Sequence, residues 1–391
     1  MKKTLAEISV LDAAYYLFVF FAVFLNTIGF GFSSRTYTVL MALLAIASTV
    51  RVIVMRVDYR DIIISLFMII LCVSISMKTG KYTIALSALL IVTAYDVDVI
   101  TILKVYLAAK VMGLLWILFS VITGINTVSV VQHYRMITGE YETRVKISGI
   151  PGNAMQLSIC CVMVLYMTVN FKRINWWCVI ALLSLSVFTY CTVTRSLTGV
   201  IMSFFSVVLY AVMSSDTIIS RGICRVSPLL PIVISVTMLF IGYHYNSNAI
   251  YSFLNNLSTG RIAYDHYYLT EYGISAFGND YTSMIEDGFF DDSYVYMPVV
   301  FGYVFTVIII ASVTVSLVKL VRVNSTRGVS LICLIMFFLI YSVAESVFPS
   351  CVANPALFVL VGTLFHRSAL GSDDSLSPRG VSAAKSSTRC F

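Results

Sequence analysis

Arg195 lies in the segment FTYCTVTRSLTGV (188–200), which joins two apolar blocks with hardly any loop between them. Its guanidinium presents a planar fork of N–H donors that matches phosphate oxygens. A helix that begins near 196–198 would point its N-terminal amides and its dipole at the same anion. These features predict an anion site at Arg195, and the alternative is an arginine whose long side chain reaches the membrane surface.

A second basic segment, HYRMITGEYETRVKISGIPGN (133–153), contains Arg135 and Arg144 and ends in a Gly/Pro-rich turn at Asn153. A basic loop that leads into the start of a helix is another candidate anion site, because the first amides of a helix can bind anions. The simpler interpretation is an ordinary solvated loop.

The stretch TGRIAYDHYYLTEYG (259–273) gathers four ionisable side chains and four tyrosines in a chain that is 59% apolar and 12% charged. In a helix capped by Thr259 and ended by Gly273, Arg261 and Asp265 share one face with two tyrosines, and His266 lies on another. A short amphipathic helix along the membrane interface is therefore predicted. The alternative is a weak surface ion pair between Arg261 and Asp265, with the tyrosines serving as interface anchors.

Glu345 lies in FLIYSVAESVFPSCVANP (338–355), at the end of an apolar block. An unpaired carboxylate at that depth would cost roughly 2.5 kcal/mol or more, so it should face the helix bundle and find a partner. Glu345 is therefore a candidate functional residue, and the alternative is a structural salt bridge to Arg35 or Arg195.

The elements that must position these residues are apolar helices. Soluble domains carry about 25% charged residues, about twice the share found here, and the apolar blocks approach the ~20 residues that a helix needs to cross a bilayer. We predict an all-α polytopic membrane protein with about twelve transmembrane helices, at 13–32, 37–55, 61–77, 82–97, 103–125, 153–169, 176–193, 198–214, 228–244, 297–318, 329–346 and 355–366.

The positions of Lys and Arg predict the orientation of these helices. With both termini in the cytoplasm, most of the 26 Lys and Arg residues lie in cytoplasmic loops, as the positive-inside rule requires. Two sizeable external loops follow, at 126–152 and 245–297, and the second carries the predicted amphipathic helix. A single membrane domain covers 1–366, and the Ser-rich tail at 367–391 is predicted to be disordered and cytoplasmic.

The sequence predicts neither a metal or disulfide site nor a nucleic-acid-binding surface. The nine cysteines are scattered and form no CxxC pair or His/Cys cluster, so neither a metal site nor a disulfide framework is indicated. The basic residues are dispersed over several loops rather than collected in one patch, so no nucleic-acid partner is expected.

Several segments resemble, in order along the chain, the Wzy-type polysaccharide polymerases, which share a superfamily with the O-antigen ligases. They are GIPGNAMQLS, TVTRSLTGV, the loop TGRIAYDHYYLTEYGISAFGND followed by DDSYVYMPVVFGYVF, and AESVFPSCVANP. The likeness covers roughly 126–366, and the earlier spans match only as membrane helices. As a departure, Tyr264 or Asp265 occupies the region where the family often has tryptophan.

The resemblance implies a glycosyltransferase of the bacterial cytoplasmic membrane that uses two undecaprenyl-diphosphate-linked oligosaccharides at the outer face. The growing glycan would move from its carrier to the non-reducing end of the new repeat unit. A diphosphate leaving group needs cations, so Arg261 and Arg195 are the predicted catalytic cations, with Arg135 and Arg144 as lesser candidates. No metal or other cofactor is required by this chemistry.

The same resemblance leaves the other roles open. The attacking sugar hydroxyl needs a base or an orienting acceptor, for which His266, Asp292 and Glu345 are all candidates. Further predicted substrate-binding residues are Asn153, Tyr264, Tyr268 and Tyr294. The tyrosine rings suit sugar rings, although anchoring at the membrane interface explains them equally well.

The expected partners are the lipid bilayer, the lipid-linked donor, and the chain-length regulator and flippase of the same pathway. One alternative is an O-antigen ligase, which has the same donor and a lipid A core acceptor. Another is a lipid-linked oligosaccharide flippase or other transporter, which predicts charges in the middle of several helices. A structural membrane subunit is the third, and it predicts that changes in the external loop leave glycan production intact.

Overall fold

The computed structural model describes residues 10–29, 34–55, 58–95, 97–125, 128–135, 140–147, 150–194, 196–215, 217–245, 248–258, 260–281, 284 and 290–364. The predicted tail at 367–391 lies outside these ranges. The helices within them are α1 (Val10–Thr27), α2 (Ser34–Met55), α3 (Tyr59–Thr79), α4 (Thr83–Thr93), α5 (Val99–Ile122), α6 (Gly152–Val169), α7 (Trp176–Thr189), α8 (Leu197–Ser214), α9 (Ile218–Val226), α10 (Leu230–Tyr243), α11 (Ala249–Leu257), α12 (Arg261–Glu271), α13 (Ser293–Tyr296), α14 (Gly302–Val323), α15 (Thr326–Tyr341) and α16 (Val359–Leu364).

The described chain is mostly helical, as predicted, but the segment at 126–152 departs from the all-α class because it contains a small antiparallel sheet. Strands β1 (Val128–Arg135) and β2 (Glu140–Ile147) form a hairpin, and β3 (Ile150–Pro151) pairs with β2. Valine, threonine, tyrosine and isoleucine recur in these strands, and such residues favour the extended backbone.

Eight segments of the described ranges are long and apolar enough to cross a membrane, judged by length and composition. They are Val10–Thr27, Tyr59–Thr79, Val99–Ile122, Gly152–Val169, Trp176–Thr194, Leu197–Ser214, Ile218–Tyr243 and Ser293–Val323. Helices α4 and α15 are apolar but shorter. The apolar helices indicate a membrane protein, with eight rather than twelve segments meeting these criteria.

Helices α4, α6 and α15 form much of the interior of the bundle. Every residue of α4 after Thr83 is buried, as are most residues of α6 and α15. The outer helices α7 and α8 instead expose large apolar side chains, such as Trp177 at 80% and Val208 at 61%. Apolar surface of this extent is unusual in a soluble monomer and is the surface that a lipid-facing helix presents.

The segment at 245–297 contains more structure than the single helix predicted for it. Helix α11 precedes α12, and the turn that follows α12 packs against the π-helical stretch Met297–Phe301. Gly278 (φ +81°) and Gly302 (φ +88°) allow this contact, since a Cβ on Gly278 would lie 2.0 Å from the Val300 carbonyl oxygen. Asn279 Nδ2 donates to the Val299 carbonyl oxygen at 2.9 Å. The Phe-Gly-Asn motif at 277–279 therefore closes the segment onto the start of α14.

Candidate functional site around Arg261

Helix α12 begins at Arg261 because the preceding turn is fixed by α11. Gly260 takes the left-handed conformation (φ +90°), and the Asn255 side chain accepts a hydrogen bond from the Ala263 amide at 3.0 Å. Gly273 (φ +65°) follows the end of the helix, as predicted, because glycine adopts this conformation without a steric penalty. The proposed cap Thr259 lies outside the described residues.

Contacts with α10 set the rotation of α12. The His266 Nδ1 atom lies 2.9 Å from the Gly242 carbonyl oxygen, and a Cβ on Gly242 would lie 2.7 Å from Leu269 Cδ1. With the face of His266 and Leu269 packed on α10, Arg261 reaches Asp291 and Glu345. Asp265 lies close enough to Asp291 and Asp292 for their charges to affect its carboxyl group. The sequence correctly separated these two faces of the helix.

Arg261 joins three separate segments of the chain. Its Nε atom donates to Asp291 Oδ2 at 3.2 Å, its Nη2 atom lies 3.6 Å from Glu345 Oε1, and its Nη1 atom donates to Thr198 Oγ1 at 3.4 Å. The side chain keeps 20% of its surface exposed, so it is not fully enclosed by the protein. We call Arg261, Asp265, Asp291, Asp292 and Glu345 the Arg261 cluster.

Glu345 lies in the turn segment that follows α15, where its side chain is largely buried. Asn153 Nδ2, at the start of α6, donates to Glu345 Oε1 at 3.3 Å. The Ser293 hydroxyl donates to the Glu345 carbonyl oxygen at 2.6 Å and accepts from the Phe348 amide at 3.1 Å. Glu345 therefore has the bundle-facing, partnered environment that the sequence predicted. The basic residue that pairs with Glu345 in the described structure is Arg261. The side chains of the two partners suggested by the sequence, Arg35 and Arg195, lie outside the described residues.

Asp265 and Asp292 are buried acids, 3% and 1% exposed respectively. Burial raises the pKa of Asp292 from 3.8 to about 8, with Asp291 raising it further and the Tyr294 amide and Arg261 opposing the shift. Burial also raises the pKa of Asp265 well above its usual range, and the charges of Asp292 and Asp291 add to this shift. Both carboxyl groups therefore hold protons at a pH where an exposed aspartate is ionised.

The two oxygens of Asp292 have different environments. Oδ1 accepts the Tyr294 amide at 2.8 Å and so caps α13. Oδ2 is buried and has no hydrogen-bond partner among the described residues. A carboxyl group that has one oxygen without a hydrogen-bond partner and a pKa of about 8 can exchange a proton with a bound hydroxyl group.

The arrangement disagrees with some of the predicted roles. Tyr268 is buried and stacks on Phe290 with ring centroids 4.1 Å apart, and Tyr294 is buried with its hydroxyl donating to the Leu339 carbonyl oxygen at 2.7 Å. Neither ring has a free face for a sugar, because packing in the core already covers it. Tyr264 is half-buried against the hydrophobic core. His266 contacts α10 and Tyr245 on the other face of α12, away from the Arg261 cluster.

Two of the remaining predicted cations belong to the small sheet. Arg135 and Arg144 are on strands β1 and β2, and β2 contacts both α6 and the π-helical stretch Tyr190–Thr194. Arg195 lies outside the described residues. Its neighbour Thr194 donates to Gln156 Oε1 at 3.1 Å, and the Thr194 backbone packs against Gly152 next to Asn153.

Asp291 and Thr198 were not among the predicted site residues. Asp291 forms the shortest ion pair of Arg261, and Thr198 follows Arg195 by three positions. A signal for Asp291 was present in the sequence, since two consecutive acids directly before an apolar block need partners. Their pairing with Arg261, thirty residues earlier, depends on the tertiary fold.

No group of three or more His, Cys, Asp or Glu side chains in the described ranges is arranged to hold a metal ion. Comparison with protein-family models, curated proteins and solved structures gave no match to this chain. The candidate function therefore depends on the chemistry of the Arg261 cluster and on the sequence resemblance.

Proposed function

We propose that this chain is a polysaccharide polymerase of the bacterial cytoplasmic membrane, which joins repeat units carried on undecaprenyl diphosphate. The observation that carries the proposal is the Arg261 cluster, where a partly exposed arginine meets several carboxyl groups at one end of an apolar helix bundle. Such a site offers a cation for a diphosphate and proton acceptors for a sugar hydroxyl group. Its position suits a donor whose lipid remains in the bilayer.

The chemistry divides between the cation and the acids. Arg261 releases Asp291 or Glu345 when the donor diphosphate binds, and it then stabilises the charge that develops on the leaving group. Arg195 assists it, and Arg135 and Arg144 on the hairpin attract the anionic donor. Because the resting guanidinium is already paired, only a group with comparable charge, such as a diphosphate, displaces its carboxylate partners.

The acceptor hydroxyl is oriented by carboxyl groups. Asp292 is one candidate for proton transfer with this hydroxyl group, because its Oδ2 atom has no hydrogen-bond partner among the described residues and burial raises its pKa to about 8. Glu345 is the second candidate, since its side chain is 13% exposed and lies beside Arg261. His266 is less suited, because its Nδ1 atom is engaged by the Gly242 carbonyl group and its ring lies on the other face of α12.

The membrane arrangement proposed with this function has twelve spans and cytoplasmic termini. The Arg261 cluster and the β1–β2 hairpin then face outward, where lipid-linked repeat units arrive from a flippase. A chain-length regulator is the expected protein partner.

The test replaces Arg261 with Ala and with Lys in a bacterial host that depends on this chain for surface glycan. We expect Arg261→Ala to reduce the glycan ladder to a single repeat unit, since polymerisation stops while attachment continues. Arg261→Lys should retain a shortened ladder, because lysine keeps the charge but loses the bidentate fork. Arg225→Ala, an exposed arginine on α9, is the matched control and should give a full ladder.

A different glycan ladder is expected if Arg261 only stabilises the fold. The triple variant Arg261→Gln, Asp291→Asn, Glu345→Gln removes the charge partners together and so avoids leaving two carboxylates unpaired. If this variant is expressed and makes a full ladder, the guanidinium is not needed and the proposal is wrong. Complete loss of attached glycan, with no single repeat, would instead indicate the O-antigen ligase.

A further inference from the structure

A cavity of about 380 Å³ lies at the end of the helix bundle opposite the Arg261 cluster. It is lined by the C-terminal end of α6, the 3-10 turn Phe171–Arg173, the start of α5 and the start of α15. Helix α6 connects the two sites, since Asn153 at its start contacts Glu345 and Thr168 near its end lines the cavity. Eighteen helical residues span about 27 Å, which is close to the ~30 Å thickness of a hydrocarbon core.

The cavity lining is rich in cations. Lys172, Arg173 and Arg327 line it together with a single acid, Asp98. Asp98 is already engaged, because it forms an ion pair with Arg327 and accepts the Thr101 amide at 2.9 Å as the cap of α5. The lining therefore carries a net positive charge.

A further observation indicates an anion as the ligand. Thr326 and Ser330 place the first turn of the sixteen-residue helix α15 at the cavity, so its amides and its dipole add positive potential to that of the basic side chains. A phosphate group is attracted by a positive potential of this kind.

The surroundings indicate that the phosphate belongs to a lipid. Trp176 and Trp177 begin α7, two residues after the Phe171–Arg173 turn, and they are 39% and 80% exposed. Exposed tryptophans at the end of an apolar helix are typical of the level of the lipid headgroups. A basic cavity between helices at this level matches the chemistry by which membrane proteins hold anionic headgroups.

We propose that this cavity binds the headgroup of an anionic phospholipid in the leaflet opposite the Arg261 cluster. Lys172 and Arg173 provide the charge that selects anionic over zwitterionic lipid, and the first turn of α15 adds positive potential beside the phosphate. The site is separate from the Arg261 cluster, so it does not depend on the glycan chemistry proposed there.

The test titrates the purified protein, in a neutral detergent, with short-chain phosphatidylglycerol and follows the thermal unfolding midpoint. We expect phosphatidylglycerol to raise the midpoint and phosphatidylcholine to have little effect. The double variant Lys172→Ala, Arg173→Ala should need about 30-fold more phosphatidylglycerol for half the effect, because each basic residue near an anionic headgroup contributes roughly fivefold. Both side chains are exposed, so the variant should fold normally.

Two controls make the result decisive. Arg225→Ala removes an exposed arginine of α9 outside the cavity and should titrate like the parent protein, while Lys172→Arg, Arg173→Lys should retain binding. Equal weakening by Arg225→Ala and by the double variant would overturn the proposal, since it would indicate attraction without a site. Saturation of the same effect by inorganic phosphate would also overturn it, because the ligand would then be a free anion.

Discussion

At the scale of single residues, the Arg261 cluster combines groups that an exposed surface would not hold together. Arg261 is shared between Asp291 and Glu345, whereas Asp265 and Asp292 are buried and have raised pKa values. The acids therefore divide into two that pair with Arg261 and two whose buried carboxyl groups have raised pKa values, because burial and like charges nearby both disfavour ionisation. A surface pair between Arg261 and Asp265, the simpler interpretation of the sequence, does not fit the burial of Asp265.

Asp292→Asn should flatten the dependence of stability on pH. Burial raises the pKa of Asp292 from 3.8 to about 8, so the native state holds a proton that the unfolded chain releases. The resulting stabilisation is fully present below about pH 3.8 and is lost as the pH rises through about 8. Thermal unfolding in detergent between about pH 5 and about pH 9 measures this loss.

The matched control is Glu271→Gln, which makes the same acid-to-amide change at an exposed position at the end of α12. A variant Asp292→Asn that is as sensitive to pH as the parent protein would contradict the buried, protonated state of this residue.

At the scale of elements, the Arg261 cluster depends on turns that only glycine can form. Gly302 adopts φ +88°, and a Cβ there would lie 2.4 Å from the Ala276 carbonyl oxygen. This contact lets the carbonyl groups of the turn at 273–281 accept hydrogen bonds from the first amides of α14, since the Tyr303 amide donates to the Ser275 carbonyl oxygen at 3.0 Å. The same turn at 273–281 also fixes the C-terminal end of α12.

Gly302→Ala should therefore destabilise the protein. The backbone conformation alone costs about 1–3 kcal/mol for a residue with a Cβ, and the clash with Ala276 adds to this. Thermal unfolding in detergent gives the measurement, and Gly222→Ala on α9 is the control, because no atom lies within 4 Å of the added Cβ. Gly222→Ala should be neutral or stabilising by up to about 1 kcal/mol. Equal midpoints for both variants would show that the close approach at Gly302 is unimportant.

At the scale of the whole molecule, the two polar sites lie at opposite ends of α6. The Arg261 cluster lies near its start, and the basic cavity lies near its end. Helix α15 runs between the same two sites in the opposite direction, from Ser330 at the cavity to the turn that holds Glu345. A bilayer around the bundle would place one site at each surface.

Thiol labelling tests the proposed orientation. In a background in which the nine cysteines are replaced, Thr270→Cys on α12 should react with an impermeant maleimide in intact cells. Arg225→Cys on α9 should react only after the cells are permeabilised. Helix α9 follows the C-terminal end of α8, which is the end away from the Arg261 cluster. Labelling of Arg225→Cys alone in intact cells would reverse the orientation and place the Arg261 cluster in the cytoplasm.

The sequence by itself determined the helical class and the positions of most apolar helices. Membrane-spanning helices satisfy their backbone hydrogen bonds locally, and their apolar composition identifies them in the sequence. It also determined the helix at 261–271 and the ending of that helix at Gly273, since both depend on local backbone preferences. The hairpin, the pairing of Arg261 with Asp291 and Glu345, and the burial of Tyr268 and Tyr294 were decided only by the tertiary structure. These features join residues that are far apart in the chain, and their energies come from partners that no local pattern identifies.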